Sequence, residues 1–329
     1  MAVIAESIEA PVKPPRIGIL DTARGIALLA MASYHFTWDF EFFGYLEGGT
    51  AETGWLKIYA RAIASTFLFL AGFSLVLANT PDIRWRSYFK RLGMIVAAAA
   101  AISAVTWWFM SDEWIFFGIL HCIAAASIIG LLFLRLPAFA TLLIAVLLAI
   151  GILVDNVVAP LSLHSAFFDR PWLYWIGLSE NLPRSNDYVP IFPWLTPFLF
   201  GLGVAQLATA MGWLHPLARL GGGRNLIARA GRHSLIFYLL HQPILFGLVY
   251  LLSLVAPAPP PDLTAGYMRQ CQASCVKSGT ETMCHSFCQC TLDQMQSQNL
   301  FSALESGAIK ADSDERINRI ALQCSEQAQ

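Results

Sequence analysis

The stretch Leu20-Asp21-Thr22-Ala23-Arg24-Gly25-Ile26-Ala27-Leu28-Leu29-Ala30-Met31-Ala32-Ser33-Tyr34-His35-Phe36-Thr37-Trp38-Asp39 decides how the rest of the chain is read. It is apolar enough to enter a bilayer, yet it holds aspartate, arginine and histidine, which are costly there and by default functional. On a helix advancing about 100° per residue, Asp21, Arg24, Leu28, Met31 and His35 return to nearly the same angle. One stripe therefore carries polar groups near both ends. At 1.5 Å per residue, Arg24 and His35 stand roughly 16 Å apart along the axis, about half the hydrocarbon thickness. The stripe predicts a polar path crossing the membrane.

Composition agrees with a membrane setting. The 329 residues are 56% hydrophobic and 13% charged, and the mean hydropathy is positive, too apolar for an ordinary soluble domain. A formal net charge of -1 gives no overall attraction to nucleic acid, and no basic run is interleaved with aromatics as a strand-binding groove needs. Nucleic-acid binding is set aside.

Apolar runs predict an all-α, polytopic transmembrane bundle of about seven spans, near 17–36, 58–79, 90–109, 114–134, 138–157, 191–211 and 234–255. Lys and Arg are retained on the cytoplasmic side, and with the N-terminus inside, that side collects Lys13, Arg16, Arg84, Arg86, Lys90, Arg91, Arg135, Arg219, Arg224, Arg229 and Arg232. The opposite loops carry Asp39, Glu41, Glu47, Glu52, Asp112 and Glu113, with Lys57, Arg170 and Arg184 as their basic residues. This asymmetry predicts a multi-pass membrane protein, with a cytoplasmic segment 1–16 and the C-terminus outside. A cleaved signal peptide is the alternative for the first span, but Asp21 and Arg24 interrupt the apolar core such a peptide needs.

After the seventh span, Ala256-Pro257-Ala258-Pro259-Pro260-Pro261 begins a stiff linker, 256–262. Residues 263–329 then form a polar, cysteine-rich tail holding six of the seven cysteines, Cys271, Cys275, Cys284, Cys288, Cys290 and Cys324. C-x3-C spacing puts each pair on one helix face, with Ser278-Gly279-Thr280 as the turn between them. A disulfide-stapled helical hairpin is expected, Cys271 with Cys288 and Cys275 with Cys284, leaving Cys290 and Cys324 to tie down a last helix; spacing alone does not fix the connectivity. Disulfides suit an extracytoplasmic tail. The competing reading is a metal site, since His285 adjoins Cys284, but zinc favours tighter C-x2-C knuckles, so none is assigned.

Other polar residues at membrane depth are few. Span four holds Gly118-Ile119-Leu120-His121-Cys122, where Cys122 reads as a small packing residue. Span seven opens at Arg232-His233-Ser234 and reaches Tyr238-Leu239-Leu240-His241-Gln242-Pro243. Span two carries the small patch Ala71-Gly72-Phe73-Ser74, which lets helices approach closely. The glycine-arginine cluster around Arg224 and Arg232 is either a topogenic anchor or a set of guanidinium forks suited to phosphates.

Taken in order, Asp21-x2-Arg24-Gly25, Tyr34-His35-Phe36, Phe69-Leu70-Ala71-Gly72-Phe73-Ser74, Gly118-Ile119-Leu120-His121, Tyr188-x-Pro190-x-Phe192-Pro193-Trp194 and Ser234-Leu235-x2-Tyr238-x2-His241-Gln242-Pro243 resemble the bacterial branch of the heparan-alpha-glucosaminide N-acetyltransferase catalytic domain. The first motif is also similar to the wider transmembrane acyltransferase superfamily. The resemblance runs from about residue 16 to 250 and leaves the cysteine tail outside it. It implies an acyltransferase within 17–255, moving an acyl group, usually acetyl from acetyl-CoA on the cytoplasmic side, to an envelope saccharide outside. His35 is then expected as general base or transiently acylated nucleophile, with Asp39 orienting its ring and His121 lining the same cavity. Arg24 and Asp21 are expected either to hold the donor or to form a buried structural ion pair, with Arg224, Arg232 and His241 also on the donor side. The competing class is a non-enzymatic transporter or receptor, whose tail docks an outside protein partner. An internal repeat with two broken helices would mark transport, and the sequence contains none.

Overall fold

A computed structural model describes residues 17–219, 225–260, 262–276, 279–310 and 314–328. Segment 1–16, Gly221 to Arg224 of the glycine-arginine cluster and Ser278 of the expected turn lie outside the described residues. All described regular structure is helical. The chain divides into two compact units, residues 1–39 with 51–248, and residues 40–50 with 249–329.

In the larger unit, α1 (Gly18–Phe42), α2 (Gly54–Ala78), α3 (Trp85–Phe109), α4 (Ile119–Phe133), α5 (Ala138–Leu153) and α6 (Ile191–Ala210) are followed by two short helices, α7 (Leu214–Arg219) and α8 (Leu226–Arg232), and then by α9 (Ser234–Val255). A π-helical turn, Val154–Val158, prolongs α5. Five helices are long and apolar enough to cross a membrane: α2, α3, α5 with its π turn, α6 and α9. Of the other two expected spans, α1 is long enough at 25 residues but more polar, and α4 has 15 residues.

The core forms where α2 meets α6. Phe198 and Leu199 of α6 are fully buried with Leu68 of α2, because glycines let the two backbones touch. A Cβ at Gly72 would run into the carbonyl of Phe198, and one at Gly201 into that of Phe69. This is the close approach that a small-residue patch permits between membrane helices. Gly130 of α4 gives room in the same way to the Phe198 ring.

Side chains hold the start of α4. The Asp187 carboxylate accepts from the Ile119 N–H (3.1 Å) and the His121 ring Nδ1 from the Gly118 N–H (3.2 Å). Two of the donors orphaned at a helix start are thereby satisfied. Asp187 lies in the segment ahead of α6, and burial pushes its carboxyl up to about 6, against the opposing effect of the Ile119 bond.

The smaller unit contains the C-terminal end of α9 and four further helices, α10 (Leu263–Cys275), α11 (Glu281–Ser297), α12 (Phe301–Glu305) and α13 (Glu315–Ala328). Asp262 caps α10 by accepting from the Thr264 and Ala265 N–H groups. The cysteines pair as Cys271–Cys288, Cys275–Cys284 and Cys290–Cys324, joining α10 to α11 twice and α11 to α13 once. Under these bridges Leu292, Met295, Leu300, Phe301 and Ile320 form a small core. So small a core needs covalent staples. Within the same unit, Arg269 of α10 pairs with Glu47 at 2.6 Å.

Two outcomes follow from this packing. Gly72→Leu forces α2 off α6 and is expected to destabilise the purified protein by about 1–3 kcal/mol or to prevent its folding, whereas Gly93→Leu on α3, with nothing within 4 Å, leaves the thermal midpoint in detergent unchanged; equal midpoints would contradict the packing. Because the folded pKa of Asp187 lies above the ordinary carboxylate value of about 3.9, its stabilising contribution is complete at low pH and is lost as pH rises through about 6. Asp187→Asn is therefore expected to gain midpoint relative to the parent between roughly pH 4 and 7, and a pH-independent difference would contradict this.

Candidate active site

The stripe predicted on α1 is the face that α1 buries: Asp21, Leu28, Met31 and Asp39 are all inaccessible or nearly so. At its N-terminal end, Arg24 donates to Asp21 (3.2 Å) and to the hydroxyl of Ser74 on α2, which itself donates to the Leu70 carbonyl. Arg91 of α3 lies near enough for its charge to oppose that of Arg24. Beside them, a cleft of about 110 Å³ between α2, α3 and α4 is lined by Asn79, Arg84, Ser87, Tyr88, Arg91 and Ser127. Two guanidinium groups and several neutral donors in one cleft suit an anion such as a phosphate.

The same end of α1 is held against α8. A Cβ at Gly231 would run into the Asp21 carbonyl, and one at Gly25 into that of Ile227. The helix whose last turn carries Arg229 and Arg232 thus lies along the first turns of α1. Arg232 follows Gly231 in the last turn of α8; Arg224 lies outside the described residues.

Further along, the expected polar path is interrupted. Leu28 and Met31 of α1 are buried with Ile63 of α2, among Tyr34, Tyr59, Phe67, Phe237 and Tyr238. The stripe is two polar stations with an apolar plug between them. Helix periodicity placed the stations, but the residues that neighbouring helices bring against the middle of α1 are invisible to it.

The second station joins α1 to α9. The His35 and His241 rings meet edge to face with centroids 5.1 Å apart. Asp39, fully buried, accepts a hydrogen bond from the side-chain amide of Gln242 at 2.7 Å. The His241 Nδ1 lies 2.6 Å from the Tyr238 carbonyl. Three buried polar atoms here have no protein partner among the described residues: Asp39 Oδ2, Gln242 Oε1 and His241 Nε2. Unpaired buried polar atoms are costly, so this cluster calls for a partner, ordered water or a ligand.

These positions differ from the sequence reading in three respects. His241, expected on the donor side, sits beside His35. The Gly25 and Gly231 contact bears on the shift: it sets the α8–α9 connection beside the first turns of α1, and α9 starts from there at Ser234, seven residues before His241. Asp39, expected to orient His35, is engaged by Gln242, whose amide supplies the donor. His121, expected in the catalytic cavity, has both ring nitrogens occupied: Nδ1 accepts from the Gly118 N–H, which leaves a proton on Nε2 for the Ser103 hydroxyl at 3.2 Å. Its place in the fold is the start of α4. Sequence reading also missed Gln242, Ser74 and Arg91; Gln242 follows His241 directly and Ser74 closes the small-residue patch of α2, but nothing in Arg91's neighbourhood separates it from a topogenic arginine.

No curated protein and no solved structure matches this chain. A family model does: the one described as heparan-alpha-glucosaminide N-acetyltransferase, catalytic, matches residues 16–243. That range contains α1, both polar stations and the whole stretch from α2 to Pro243. The chain belongs to the heparan-alpha-glucosaminide N-acetyltransferase catalytic-domain family.

Proposed function

We propose that this protein is a membrane acetyltransferase that takes an acetyl group from acetyl-CoA at the Arg24 end of α1 and delivers it to an envelope saccharide that reaches the His35 end. The observation that carries this reading is the division of the α1 stripe into two polar stations across an apolar plug, within the range that the acetyltransferase family covers. A charged donor and a polyhydroxylated acceptor need separate polar berths, and the transferred acetyl group is small and apolar.

The donor end suits acetyl-CoA by its chemistry. Arg24, Arg84 and Arg91 offer guanidinium groups to the phosphates, Asp21 and Ser74 hold Arg24 in place, and Arg224 and Arg232 extend the basic surface. The acceptor end is rich in hydrogen-bond acceptors lacking donors, namely Asp39, Gln242 and His241. Hydroxyl and amine groups of a sugar are donors of the required kind. In the transfer, the acceptor oxygen or nitrogen attacks the thioester carbon, the carbon–sulfur bond breaks, and thiolate leaves with the electron pair. In that direct route His35 is the proton acceptor; in the two-step route its ring nitrogen first displaces the thiolate from the thioester carbon, and the acceptor then attacks the acyl-imidazole carbon and releases the ring.

The arrangement in the membrane follows the loop charges: a bacterial inner membrane, seven spans within 17–255, the Arg24 end cytoplasmic, and residues 263–329 outside, after the linker 256–262, where the tail can meet an extracytoplasmic protein partner. Purified full-length protein incubated with radiolabelled acetyl-CoA and glucosamine as probe acceptor is expected to transfer label. Folded His35→Ala should lose at least ~100-fold in rate, and Arg24→Ala should raise the KM for acetyl-CoA. Failure to bind acetyl-CoA, with no transfer to glucosamine or to a panel of envelope sugars, would overturn the reading.

A further inference from the structure

His241 lies on α9, two residues ahead of Pro243, and is 8% exposed. Proline has no N–H, so the Leu239 carbonyl lacks its usual helical donor, and the His241 ring turns back onto the carbonyl of Tyr238, one residue earlier. Its Nδ1 sits 2.6 Å from the Tyr238 carbonyl oxygen. A carbonyl can only accept, so the proton of the neutral ring must reside on Nδ1, and Nε2 carries the lone pair. That Nε2 is buried and has no protein partner. Its neighbours are the His35 ring, 5.1 Å away between centroids, and Gln242, bonded to Asp39.

The contrast with His121 is informative. There Nδ1 accepts from a backbone N–H and Nε2 faces the Ser103 hydroxyl, so no lone pair is left over. In His241 the backbone fixes the tautomer and leaves the opposite nitrogen open. A backbone carbonyl in that role does what an orienting carboxylate does in other histidine bases.

We infer that His241 Nε2 is the proton acceptor of the acetyl transfer, holding its lone pair toward the acceptor sugar because the Tyr238 carbonyl fixes the tautomer. This rests on the acetyltransferase reading above. As the acceptor's oxygen or nitrogen forms its bond to the thioester carbon, its proton moves to Nε2, the carbon–sulfur bond breaks, and the thiolate departs with the electron pair. The proton held on Nε2 then passes to that thiolate or to water, restoring the neutral ring. His35, packed against His241, is left to position the acetyl group as it is transferred.

Two measurements test the inference. In full-length protein labelled with 15N-histidine in proteoliposomes, with the His241 signals assigned by their loss in His241→Asn, the neutral ring is expected as the uncommon Nδ1–H tautomer; an Nε2–H tautomer would overturn the inference whether or not any chosen acceptor turns over. His241→Asn keeps an amide N–H at the position of Nδ1, so it preserves the bond to Tyr238 while removing the base. With acetyl-CoA and glucosamine as probes, it is expected to lower kcat by 10²–10⁴-fold, with the KM for acetyl-CoA nearly unchanged. If wild-type protein transfers label and His241→Asn does so at the same rate, the inference fails while the acetyltransferase reading stands. Inactive wild-type protein that still shows the Nδ1–H tautomer would sink the acetyltransferase reading, and this role with it.

Discussion

Buried polar side chains must find their partners inside the protein, and this constraint fixes α1 among its neighbours. Arg24 reaches Ser74 on α2, and Asp39 reaches Gln242 on α9. Between these two fastenings, Leu28 and Met31 seal against α2 and α9. A helix of Leu and Ala alone would pack as well against lipid as against protein. The polar residues give α1 one rotation and one depth, and the two stations inherit their spacing from them.

The glycines do the complementary part. Gly25 with Gly231 brings backbone against backbone at the start of α1, and Gly72 with Gly201 does the same for α2 and α6. Close backbone approach sets the sliding position of α8 and α9 along α1, which brings His241 level with His35. The site is thus a product of helix register as much as of side-chain identity.

Much of this was legible in advance. The α1 stripe follows from a fixed helical repeat, so its buried face could be read from residue numbers alone. The helix positions were equally readable, with the expected spans 138–157, 191–211 and 234–255 lying close to Ala138–Val158, Ile191–Ala210 and Ser234–Val255. The depth of His241 was not, because it depends on where α8 meets α1, a contact between glycines more than 200 residues apart. The structural duty of His121 was hidden as well: a histidine that accepts from a backbone N–H at a helix start looks, in sequence, like one poised for chemistry. The Asp187 cap belongs to the same class, since the residue it serves lies 68 positions earlier.

The central claim is that the two stations of α1 face opposite sides of the membrane and work in one reaction. Proteoliposomes containing the full chain in a single known orientation test it, with acetyl-CoA supplied on one side and labelled glucosamine on the other. The account predicts acetylated sugar when acetyl-CoA is on the side of the α2–α3 connection, which carries Arg84, and glucosamine is opposite, and none when the two are exchanged. Equal transfer in both arrangements, or transfer only when donor and acceptor share a side, would contradict it.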